Sequence, residues 1–481
     1  MCGIVAIAGR GGVSKSLFVA MTSLQHRGQD AAGMAVYNEE SLNLNVRKGL
    51  GLVGEVFSRN DIEELRGNLG IAHVRYPTAG GNDMRDAQPF MLSYPFGIAM
   101  ASNGNTVNYD ELRSMLNGTR LLNSACDLEV MLHTFSDRLS KTRLNEFSEE
   151  NVFRAAAGFS DAVKGSYSVV AVIAGKGLMA LRDQYGIKPL AIGVKDREFI
   201  IASESVALSS LGYRFLRDIE PGEVVFIDSS NNLHSKVVNR DRHAHCMFEW
   251  VYFARPESVI DGMSVYQARL NLGRELARLW RKTGLSADVV IPVPDTSRTA
   301  AIGLAEALGL PYREGLIKNR YIGRTFIMPS QDRRDSAVKL KLNTVVSEIK
   351  DKSLLVVDDS IVRGTTSRSI IRLLRDNGAK RVYLLSTCPP IRHPCFYGID
   401  MAMEEELIAS SKTVEEIQEH IMADRLVYQE IEGLKRALSV EDLCTACLDG
   451  LYPIKVPAEC IAATKSRRCL DRKASQGDGY Y

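Results

Sequence analysis

The stretch Val356-Val-Asp-Asp-Ser-Ile-Val-Arg-Gly-Thr-Thr-Ser367 follows an apolar run and leads into a segment with helical spacing. Two carboxylates at the end of a strand can hold the hydroxyls of a sugar or a hydrated Mg²⁺, a cation that prefers oxygen ligands. The glycine and the hydroxyl residues behind them offer backbone N–H groups at a helix N-terminus, where a phosphate binds readily. An ordinary capped helix start with solvated acids is the alternative. Both interpretations predict a strand that turns directly into a helix.

The segments around this stretch alternate between apolar strands and helices. Strands are predicted at 287–292, 353–357 and 381–386, and helices at 264–283, 297–308, 366–377, 413–421 and 424–438. Such alternation is typical of an α/β domain with a mostly parallel sheet.

The first part of the chain has a different pattern, with many short runs of Val, Ile and Ala between turn residues. These runs predict strands at 3–8, 69–74, 97–101, 168–174, 178–182 and 199–203, and helical spacing predicts helices at 14–25, 108–117 and 125–138. The sequence therefore predicts an α+β domain over residues 1–235, the α/β domain over 236–465 and a frayed tail over 466–481.

Composition and charge exclude several classes of protein. The 481 residues carry 60 Lys and Arg against 58 Asp and Glu, and the net charge of +2 excludes a strongly basic nucleic-acid binder. No run reaches the roughly 18 apolar residues that a membrane-spanning helix needs. The N-terminus lacks the basic and apolar regions of a signal peptide, which predicts a cytoplasmic protein whose nine cysteines stay reduced. Catalysis, metal binding and plain packing are then the roles to consider for these cysteines.

Cys2 directly follows the initiator methionine. Removal of Met1 would place a thiol and a free α-amine on one residue, and the amine, with an ordinary pKa of about 7.7–8.0, could accept the thiol proton. The residue would then supply its own base. A small residue at the start of a strand is the alternative, and the dipeptide by itself does not decide between the two.

The segments that accompany Cys2 are Gln25-His-Arg-Gly-Gln-Asp30, His73-Val-Arg-Tyr-Pro-Thr-Ala-Gly80 and Asn103-Gly-Asn105. Together they resemble the glutaminase domain of class II amidotransferases, which are N-terminal-nucleophile enzymes with an αββα sandwich fold. The resemblance implies that Cys2 attacks the side-chain amide of glutamine and releases ammonia. It also implies that Asn103 and the backbone N–H of Gly104 form the oxyanion hole. Ser102 stands where the family often has a histidine, so the support of this loop is expected to differ.

The same resemblance implies roles for Arg75 and Asp127 in binding the carboxylate and the amine of glutamine. A planar guanidinium suits a carboxylate, and an acidic side chain suits an ammonium. Taken singly, Arg75 could instead form a surface ion pair, and Asp127 could be a residue placed favourably at a helix N-terminus.

The stretch at 356–367 resembles the phosphoribosylpyrophosphate (PRPP) motif of type I phosphoribosyltransferases. That motif combines an acidic pair, a glycine and a run of hydroxyl residues in one register, and this sequence has all of them. The resemblance implies that Asp358 and Asp359 bind the ribose hydroxyls and Mg²⁺. It further implies that Ser297 contacts the metal or the pyrophosphate. The 5′-phosphate is assigned to the loop of Arg363, Gly364, Thr365, Thr366 and Ser367.

Lys318-Asn-Arg-Tyr-Ile-Gly-Arg-Thr-Phe326 and the basic stretch from Arg333 to Asn343 form a long polar connection. A connection of this length inside a compact domain is usually a functional lid or a disordered segment. Beside the PRPP motif, it is expected to close over PRPP and exclude water, whereas solvated basic side chains are the alternative. The residues expected to meet the diphosphate are Lys318, Tyr321, Arg324 and Lys341.

Four cysteines are candidates for a metal site: Cys444 and Cys447 in a C-x-x-C pair, with Cys246 and Cys395 as companions. By itself a C-x-x-C pair fits zinc, redox chemistry or chance, and His243 and His245 keep a zinc site open. The surrounding segments resemble the cluster-bearing branch of the amidophosphoribosyltransferases, which implies that the four thiolates bind a [4Fe–4S] cluster. The cysteines interpreted as core or surface residues are Cys126, Cys388, Cys460 and Cys469.

The resemblance to the amidophosphoribosyltransferases runs from Cys2 to about residue 455. It implies that PRPP, glutamine and water are converted to 5-phosphoribosylamine, pyrophosphate and glutamate, with Mg²⁺ as a cofactor. It also implies purine nucleotides as feedback inhibitors and a homotetramer or homodimer, without a nucleic-acid or membrane partner. Another class II amidotransferase, which should lack the PRPP motif, is one alternative. A non-enzymatic PRPP-sensing regulator, which would need no nucleophile at position 2, is the other.

Overall fold

Antiparallel strands dominate the N-terminal half of the computed structural model, which describes residues 1–76, 83–116, 119–319, 342–401, 403–464 and 466. The strands are β1 (Gly3–Ala8), β2 (Ala31–Asn38), β3 (Asn43–Leu50), β4 (Leu69–Arg75), β5 (Phe90–Leu92), β6 (Ile98–Thr106), β7 (Gly165–Ile173), β8 (Gly177–Arg182), β9 (Ala191–Lys195), β10 (Glu198–Ala202), β11 (Arg214–Asp218), β12 (Glu223–Asp228) and β13 (Leu233–Val237). The helices are α1 (Ser14–Ser23), α2 (Val53–Val56), α3 (Arg59–Glu64), α4 (Tyr109–Leu116), α5 (Asp127–Ser140), α6 (Glu149–Ala162) and α7 (Ser205–Ser209).

These strands form two sheets that pack face to face. One sheet has the order β11-β9-β10-β1-β4-β2-β3, and the other has the order β13-β12-β8-β7-β6-β5. Because side chains alternate along a strand, β1 turns Ile4 and Ala6 towards the core between the sheets and Val5 and Ile7 towards the core beneath α1. Helices α4, α5 and α6 cover the outer face of the second sheet. These four layers confirm the predicted αββα sandwich.

A parallel sheet forms the centre of the C-terminal half. The strands of this half are β14 (His245–Cys246), β15 (Val259–Ile260), β16 (Met263–Ser264), β17 (Val289–Pro292), β18 (Leu316–Lys318), β19 (Leu342–Thr344), β20 (Ser353–Asp358), β21 (Arg381–Ser386), β22 (Arg425–Tyr428) and β23 (Leu443–Cys444). The helices are α8 (Val265–Arg281), α9 (Arg298–Leu308), α10 (Val346–Ile349), α11 (Thr365–Asp376), α12 (Ile408–Ser411), α13 (Val414–Ile421), α14 (Ile431–Leu438) and α15 (Ala446–Asp449).

The parallel sheet has the order β17-β20-β21-β22, and each neighbouring pair is parallel. In β20, Leu354 and Val356 enter the core on one face, whereas Leu355 and Val357 enter the core on the other. Both faces of the sheet are therefore covered, which explains why its strands are apolar without alternation. This arrangement confirms the predicted α/β domain.

The prediction of one helix over 424–438 is wrong. Arg425–Tyr428 forms β22 at the edge of the parallel sheet, and α14 begins only at Ile431. Leu426, Val427 and Tyr428 are buried in this strand, and β-branched and aromatic residues favour that conformation. A strand of four residues is too short to show a period of its own, so the neighbouring helical pattern concealed it.

Several predicted features fall outside the described residues. They include Tyr321, Arg324 and Lys341 of the expected lid, Cys469, and nearly all of the predicted tail. The domain boundaries at 235 and 465 stay predictions. Within the described ranges, no helix is both long enough and apolar enough to cross a bilayer.

Candidate active sites

Cys2 lies immediately before β1, which is an inner strand of the first sheet. Its thiol donates to the carbonyl oxygen of Tyr76 at 3.6 Å, and its backbone N–H donates to Asn103 Oδ1 at 3.0 Å. Asn103 belongs to β6 of the opposite sheet. The two sheets thus bring the predicted nucleophile and a predicted oxyanion-hole residue into direct contact.

The side chain of Asn103 keeps a spare donor. Its Oδ1 accepts from Cys2, but its Nδ2 is buried and has no hydrogen-bond partner among the described residues. A buried donor without a partner costs about 1–3 kcal/mol, and an oxygen that becomes negative beside Cys2 would supply the missing acceptor. At the next residue, Gly104, φ is +148° and a Cβ atom would lie 1.9 Å from the carbonyl oxygen of Ser166. Only glycine fits this position.

Gln88, a residue not predicted from the sequence, supports the strand next to this pair. Its Oε1 accepts the backbone N–H of Ser102 at 2.8 Å, and its Nε2 donates to the sulfur of Cys126 at 3.7 Å. Gln88 is itself buried. Support of the strand at Ser102 was expected to differ from the family, and it comes from Gln88, 14 residues earlier in the chain. No local sequence pattern indicates this contact.

Arg75 ends β4 and is only 3% exposed, which excludes the surface ion pair. Its Nη2 lies 3.5 Å from Asp86 Oδ2, and Asp86 Oδ1 accepts the N–H of Ala125 at 3.0 Å. Ala125 lies just before α5, so Asp86 holds the guanidinium near the start of that helix. A guanidinium held in this way can bind a carboxylate through two parallel hydrogen bonds.

Asp127 is the first residue of α5, and its Oδ2 accepts the backbone N–H of Thr106 at 2.9 Å. Burial raises the pKa of this carboxyl above its ordinary value. A cation beside the carboxyl would oppose that rise, so the environment suits the ammonium of an amino acid. Asp127 and Thr106 line a small cavity together with Cys460 and Ala463, which belong to a helical segment at 458–464.

A buried ion-pair network fixes the backbone of Cys2 from the other side. Arg27 is fully buried, and its Nε donates to the carbonyl oxygen of Cys2 at 3.0 Å. Its two terminal nitrogens form ion pairs with Glu204 and with Glu249, the latter at 2.8 Å. Arg27 lies within the motif Gln25-His-Arg-Gly-Gln-Asp30, but its acidic partners follow 177 and 222 residues later. That separation explains why the network could not be predicted from the sequence.

Replacing Arg27 by Met should destabilise the protein by about 3–5 kcal/mol, because two buried carboxylates lose their cation. Burial raises the pKa of Glu204, but Arg27, His26 and the backbone N–H of Arg255 together outweigh that effect, and the net pKa lies below its ordinary value. Such a carboxyl stabilises the fold above its ordinary pKa of about 4.3, and this contribution fades as the pH falls. The difference in stability between wild type and variant should therefore shrink in acid.

Chemical denaturation of both proteins at about pH 7 and about pH 4 measures this difference. Arg59→Met is the control, because it removes an exposed pair with Glu63 on one helix and should cost no more than about 0.5 kcal/mol. Equal losses in the two variants would contradict a structural role for the buried network.

The PRPP motif lies at the carboxyl edge of the parallel sheet. β20 ends at Asp358, and the loop that carries Ser297 follows the adjacent parallel strand β17. Loops after neighbouring parallel strands meet at one edge, where such sheets bind ligands. Gly364 has φ of +74° at the start of α11, and a Cβ there would lie 2.7 Å from a methyl group of Ile408. The turn from strand to helix thus depends on glycine, as the motif requires.

The carboxylates of Asp358 and Asp359 are buried and repel each other. Burial raises the pKa of both carboxyls, that of Asp359 to about 6, and the charge of Asp359 raises the pKa of Asp358 further. Neither carboxylate forms an ion pair with any residue in the described ranges. The hydroxyl of Ser297 at the same edge is buried and lacks a hydrogen-bond partner among those residues. Two carboxylates and a spare hydroxyl form a set of oxygen ligands that suits Mg²⁺ and sugar hydroxyls.

The remaining residues of the predicted PRPP site occupy different environments. Thr365 and Thr366 are exposed at the start of α11, whereas Ser367 is buried. Arg363 is exposed and its Nη2 donates to Glu406 at 2.8 Å. Lys318 lies near the sheet edge, with its Nζ 3.4 Å from Asp295 in the loop before Ser297. The other predicted lid residues, Tyr321, Arg324 and Lys341, are not among the described residues.

Four cysteines from distant parts of the chain line one cavity. Cys246 and Cys444 are directly paired in the parallel strands β14 and β23, Cys447 lies in α15, and Cys395 lies in the loop after β21. None of them forms a disulfide. The rest of the cavity wall is mostly apolar, with Ile187, Met247, Phe248, Tyr397, Ile399, Ala446 and Tyr452. The predicted set of ligands is therefore assembled, and neither His243 nor His245 lines the cavity.

The spacing of the sulfurs is wider than a single zinc ion requires. A tetrahedral zinc site with Zn–S bonds of about 2.3 Å holds its sulfurs about 3.8 Å apart. The sulfurs of the four cysteines do not all lie within 4.8 Å of one another. Among the described residues, the ligand atoms of His243, His245 and Asp261 do lie that close together. These three residues already have other partners, because Asp261 forms an ion pair with Arg182 and the two imidazole rings stack with their centroids 3.4 Å apart.

One buried cation lies close to the cavity cysteines. Burial raises the pKa of Cys246 and of Cys444, and the ammonium of Lys188 opposes that rise. Lys188 is fully buried, and its Nζ lies 2.9 Å from the sulfur of Met1. A buried cation is costly without an anion nearby. An anionic group bound by thiolates would compensate it, so the residues present fit a [4Fe–4S] cluster.

Family models and known proteins match the chain along its length. A model described as a glutamine amidotransferase domain matches residues 78–210, and one described as a phosphoribosyl transferase domain matches residues 264–395. The amidophosphoribosyltransferase of Escherichia coli (strain K12) is 46% identical over 454 residues, which cover 92% of this chain and 89% of that protein. The amidophosphoribosyltransferase of Methanothermobacter thermautotrophicus is 45% identical over 477 residues, which cover 97% and 98%.

The fold agrees with the same comparison. A solved structure of glutamine PRPP amidotransferase from B. subtilis, complexed with ADP and GMP, matches with a TM-score of 0.86 at 38% identity. The match covers 95% of this chain and 98% of that one.

Proposed function

Because the chain belongs to the amidophosphoribosyltransferase family, which carries out the first step of purine biosynthesis, we propose how its two sites divide that reaction. Glutamine is cleaved at Cys2, and the ammonia released there is transferred to C1 of PRPP at the Asp358 loop. The products are glutamate, 5-phosphoribosylamine and pyrophosphate. The observation that carries the first assignment is that Asn103 binds Cys2 through Oδ1 and keeps a buried donor without a partner.

At the first site, the thiolate of Cys2 attacks the side-chain carbonyl carbon of glutamine. The carbonyl oxygen becomes negative and accepts hydrogen bonds from Asn103 Nδ2 and the N–H of Gly104, and each such donor is worth about 10²–10³-fold in rate. The amide nitrogen takes up the proton that the thiol gave to the base and leaves as ammonia, and a γ-glutamyl thioester remains on the sulfur. Water then hydrolyses the thioester to glutamate. Arg75 and Asp127 bind the carboxylate and the ammonium of the substrate throughout.

The base for this reaction is the α-amine of Cys2 after removal of Met1. The backbone nitrogen of Cys2 already donates to Asn103 Oδ1, and an amine at the same position can keep this bond while its lone pair accepts the thiol proton. Burial lowers the pKa of the present N-terminal amine, on Met1, to about 6. After removal of Met1, the α-amine of Cys2 must be uncharged to act as the base, and burial favours the uncharged form of an amine.

At the second site, Asp358 and Asp359 bind the ribose hydroxyls of PRPP, and the N–H groups and hydroxyls of the 363–367 loop bind its 5′-phosphate. Ser297 and Lys318 are assigned to the leaving pyrophosphate. Ammonia attacks C1 while the bond from C1 to the pyrophosphate oxygen breaks. Mg²⁺, held by the carboxylates and Ser297, would supply charge neutralisation on the leaving group.

The cavity of Cys246, Cys395, Cys444 and Cys447 is proposed to hold a [4Fe–4S] cluster. The apolar wall, the wide spacing of the sulfurs and the buried ammonium of Lys188 support this over a single zinc ion. The cavity is separate from both catalytic sites, so the cluster has a structural role in joining segments that lie far apart in the chain.

Protein prepared without oxygen should be brown and contain about four irons and four sulfides per chain. Iron and acid-labile sulfide analysis, together with the visible spectrum, measures this. Cys447→Ala should lose the colour, whereas Cys388→Ala should keep it, because Cys388 is buried outside the cavity wall. Colourless wild-type protein with one zinc per chain would overturn the proposal.

Regulation and assembly are proposed by analogy with the relatives. The B. subtilis enzyme was solved in complex with ADP and GMP, and we propose that purine nucleotides also bind and inhibit this chain. A homotetramer or homodimer and a cytoplasmic location stay predictions. The relatives match nearly the whole chain, and the chain itself matches both domain models, which disfavours another class II amidotransferase and a non-enzymatic PRPP sensor.

A further inference from the structure

The loop that begins at Cys395 crosses the strand that carries the oxyanion hole. The side-chain Nδ2 of Asn105 donates to the carbonyl oxygen of Phe396 at 2.9 Å. Two residues further on, Gly398 lies against Gly104, and a Cβ on Gly398 would be 3.1 Å from both the carbonyl carbon and the carbonyl oxygen of Gly104. The backbones of the two glycines are therefore in direct contact, although the residues are far apart in sequence.

Gly104 is confined from both sides. On one side, its α-carbon packs so closely on β7 that a side chain there would collide with Ser166. On the other side lies Gly398, whose φ of +94° few other residues adopt. A peptide N–H that stabilises a developing oxyanion must keep its position to within a fraction of an ångström. The contact between the two glycines can set this position.

The loop itself is held firmly. The phenol oxygen of Tyr397 donates to the carbonyl of Ile454 and accepts the N–H of the same residue at 3.0 Å. The N–H of Tyr397 donates to the sulfur of Cys395 at 3.4 Å, and the N–H of Cys395 donates to the carbonyl of Met401 at 2.7 Å. The end of the loop at the cysteine cavity and the end at Gly104 are thus tied into one rigid turn.

We infer that Gly398 is a positioning residue for glutamine cleavage: its contact with Gly104 holds the Gly104 N–H where the oxyanion forms. The inference rests on the proposed roles of Cys2 and Gly104. It assigns part of the first site's geometry to a loop of the C-terminal half, which also carries one of the cavity cysteines. Gly398 touches no reacting atom, and its effect is expected on the transition state rather than on the binding of glutamine.

Gly398→Ala tests the inference, because the added methyl group must displace Gly104. The variant should lower kcat for glutamine-dependent synthesis by about 10- to 100-fold, with little change in the KM for glutamine and in the rate with ammonia. An aldehyde analogue of glutamine, which forms a tetrahedral adduct with a thiol, should bind more weakly by a similar factor. Alkylation of Cys2 by iodoacetamide creates no oxyanion and should be unchanged.

Gly284→Ala is the matched control. Gly284 has φ of +67° but nothing within 4 Å of its Cβ position, so this change adds backbone strain without a collision. Its activities should equal those of wild type. Both variants are compared at equal iron content and equal visible absorbance, which separates the oxyanion hole from the cysteine cavity.

Unchanged glutamine-dependent turnover and unchanged aldehyde affinity in Gly398→Ala would overturn the inference. So would an equal loss with glutamine and with ammonia, since that shows a general structural defect. Cys2→Ala distinguishes failure of the positioning role of Gly398 from failure of the proposed role of Cys2. If it retains glutamine-dependent synthesis, the proposed function of the first site fails; if it abolishes that activity while Gly398→Ala is silent, only the positioning role fails.

Discussion

Replacement of Cys2 by Ala should abolish glutamine-dependent synthesis and leave ammonia-dependent synthesis intact. The variant loses the only group proposed to attack the amide, so the rate of glutamate release should fall by at least about 10⁴-fold. The second site is built by β17, β20 and α11 on a separate sheet, and the substitution does not touch it. Free ammonia at high concentration and high pH should therefore still react with PRPP. Glutamate and pyrophosphate release, measured with each nitrogen source, give the result.

The ammonia-dependent rate serves as the internal control for folding in this experiment. Cys2→Ser is the conservative companion, since a hydroxyl of similar size is a weaker nucleophile and should leave a small residual rate. Intact-mass analysis of the active wild type should show a chain that begins at Cys2. Loss of both activities in a folded Cys2→Ala protein, or full activity with Met1 retained, would contradict the proposed mechanism.

The layers of the fold could be predicted where burial leaves a local pattern, although the buried elements β2, β12 and α6 were not predicted. β1 and β20 are apolar on both faces and bounded by turn residues, so both strands could be located from these apolar runs. β22 was missed for the opposite reason: it is four residues long and directly precedes α14, whose helical spacing extended over it. β3 was also missed, because its alternate residues are exposed and it contains Asn, Arg, Lys and Gly.

The site residues followed from a resemblance in motifs rather than from local chemistry. Taken singly, Cys2, Arg75 and Asp127 each had an ordinary structural explanation, and only their combination indicated a glutaminase. The residues that support them were not predictable, because each acts through a contact across the fold. Gln88, Arg27 and Gly398 bind or pack against residues 14, 177 and 294 positions away, respectively. Such pairs share no period and no motif, so they become visible only when the chain is folded.

Replacement of Asp359 by Asn should impair the second site and spare the first, whereas Cys2→Ala impairs the first and spares the second. The amide cannot carry the negative charge that the ribose hydroxyls and Mg²⁺ require, so synthesis should fall by about 100-fold or more with glutamine and with ammonia alike. Glutamine hydrolysis in the absence of PRPP depends on Cys2, Asn103 and Gly104 and should be unchanged. Pyrophosphate release with each nitrogen source, and glutamate release without PRPP, measure the two halves separately.

Asp376→Asn is the matched control, because Asp376 is an exposed carboxylate at the far end of the same helix, α11, that begins behind the acidic pair. This change removes one charge from the same element and should leave both activities at the wild-type level. In Asp359→Asn, a neutral side chain replaces a buried carboxylate. The repulsion that raises the pKa of Asp358 also disappears. The variant should thus be at least as stable as wild type while losing synthesis. A stable variant that retains synthesis would show that the acidic pair merely ends a strand, and the second site would then lie elsewhere.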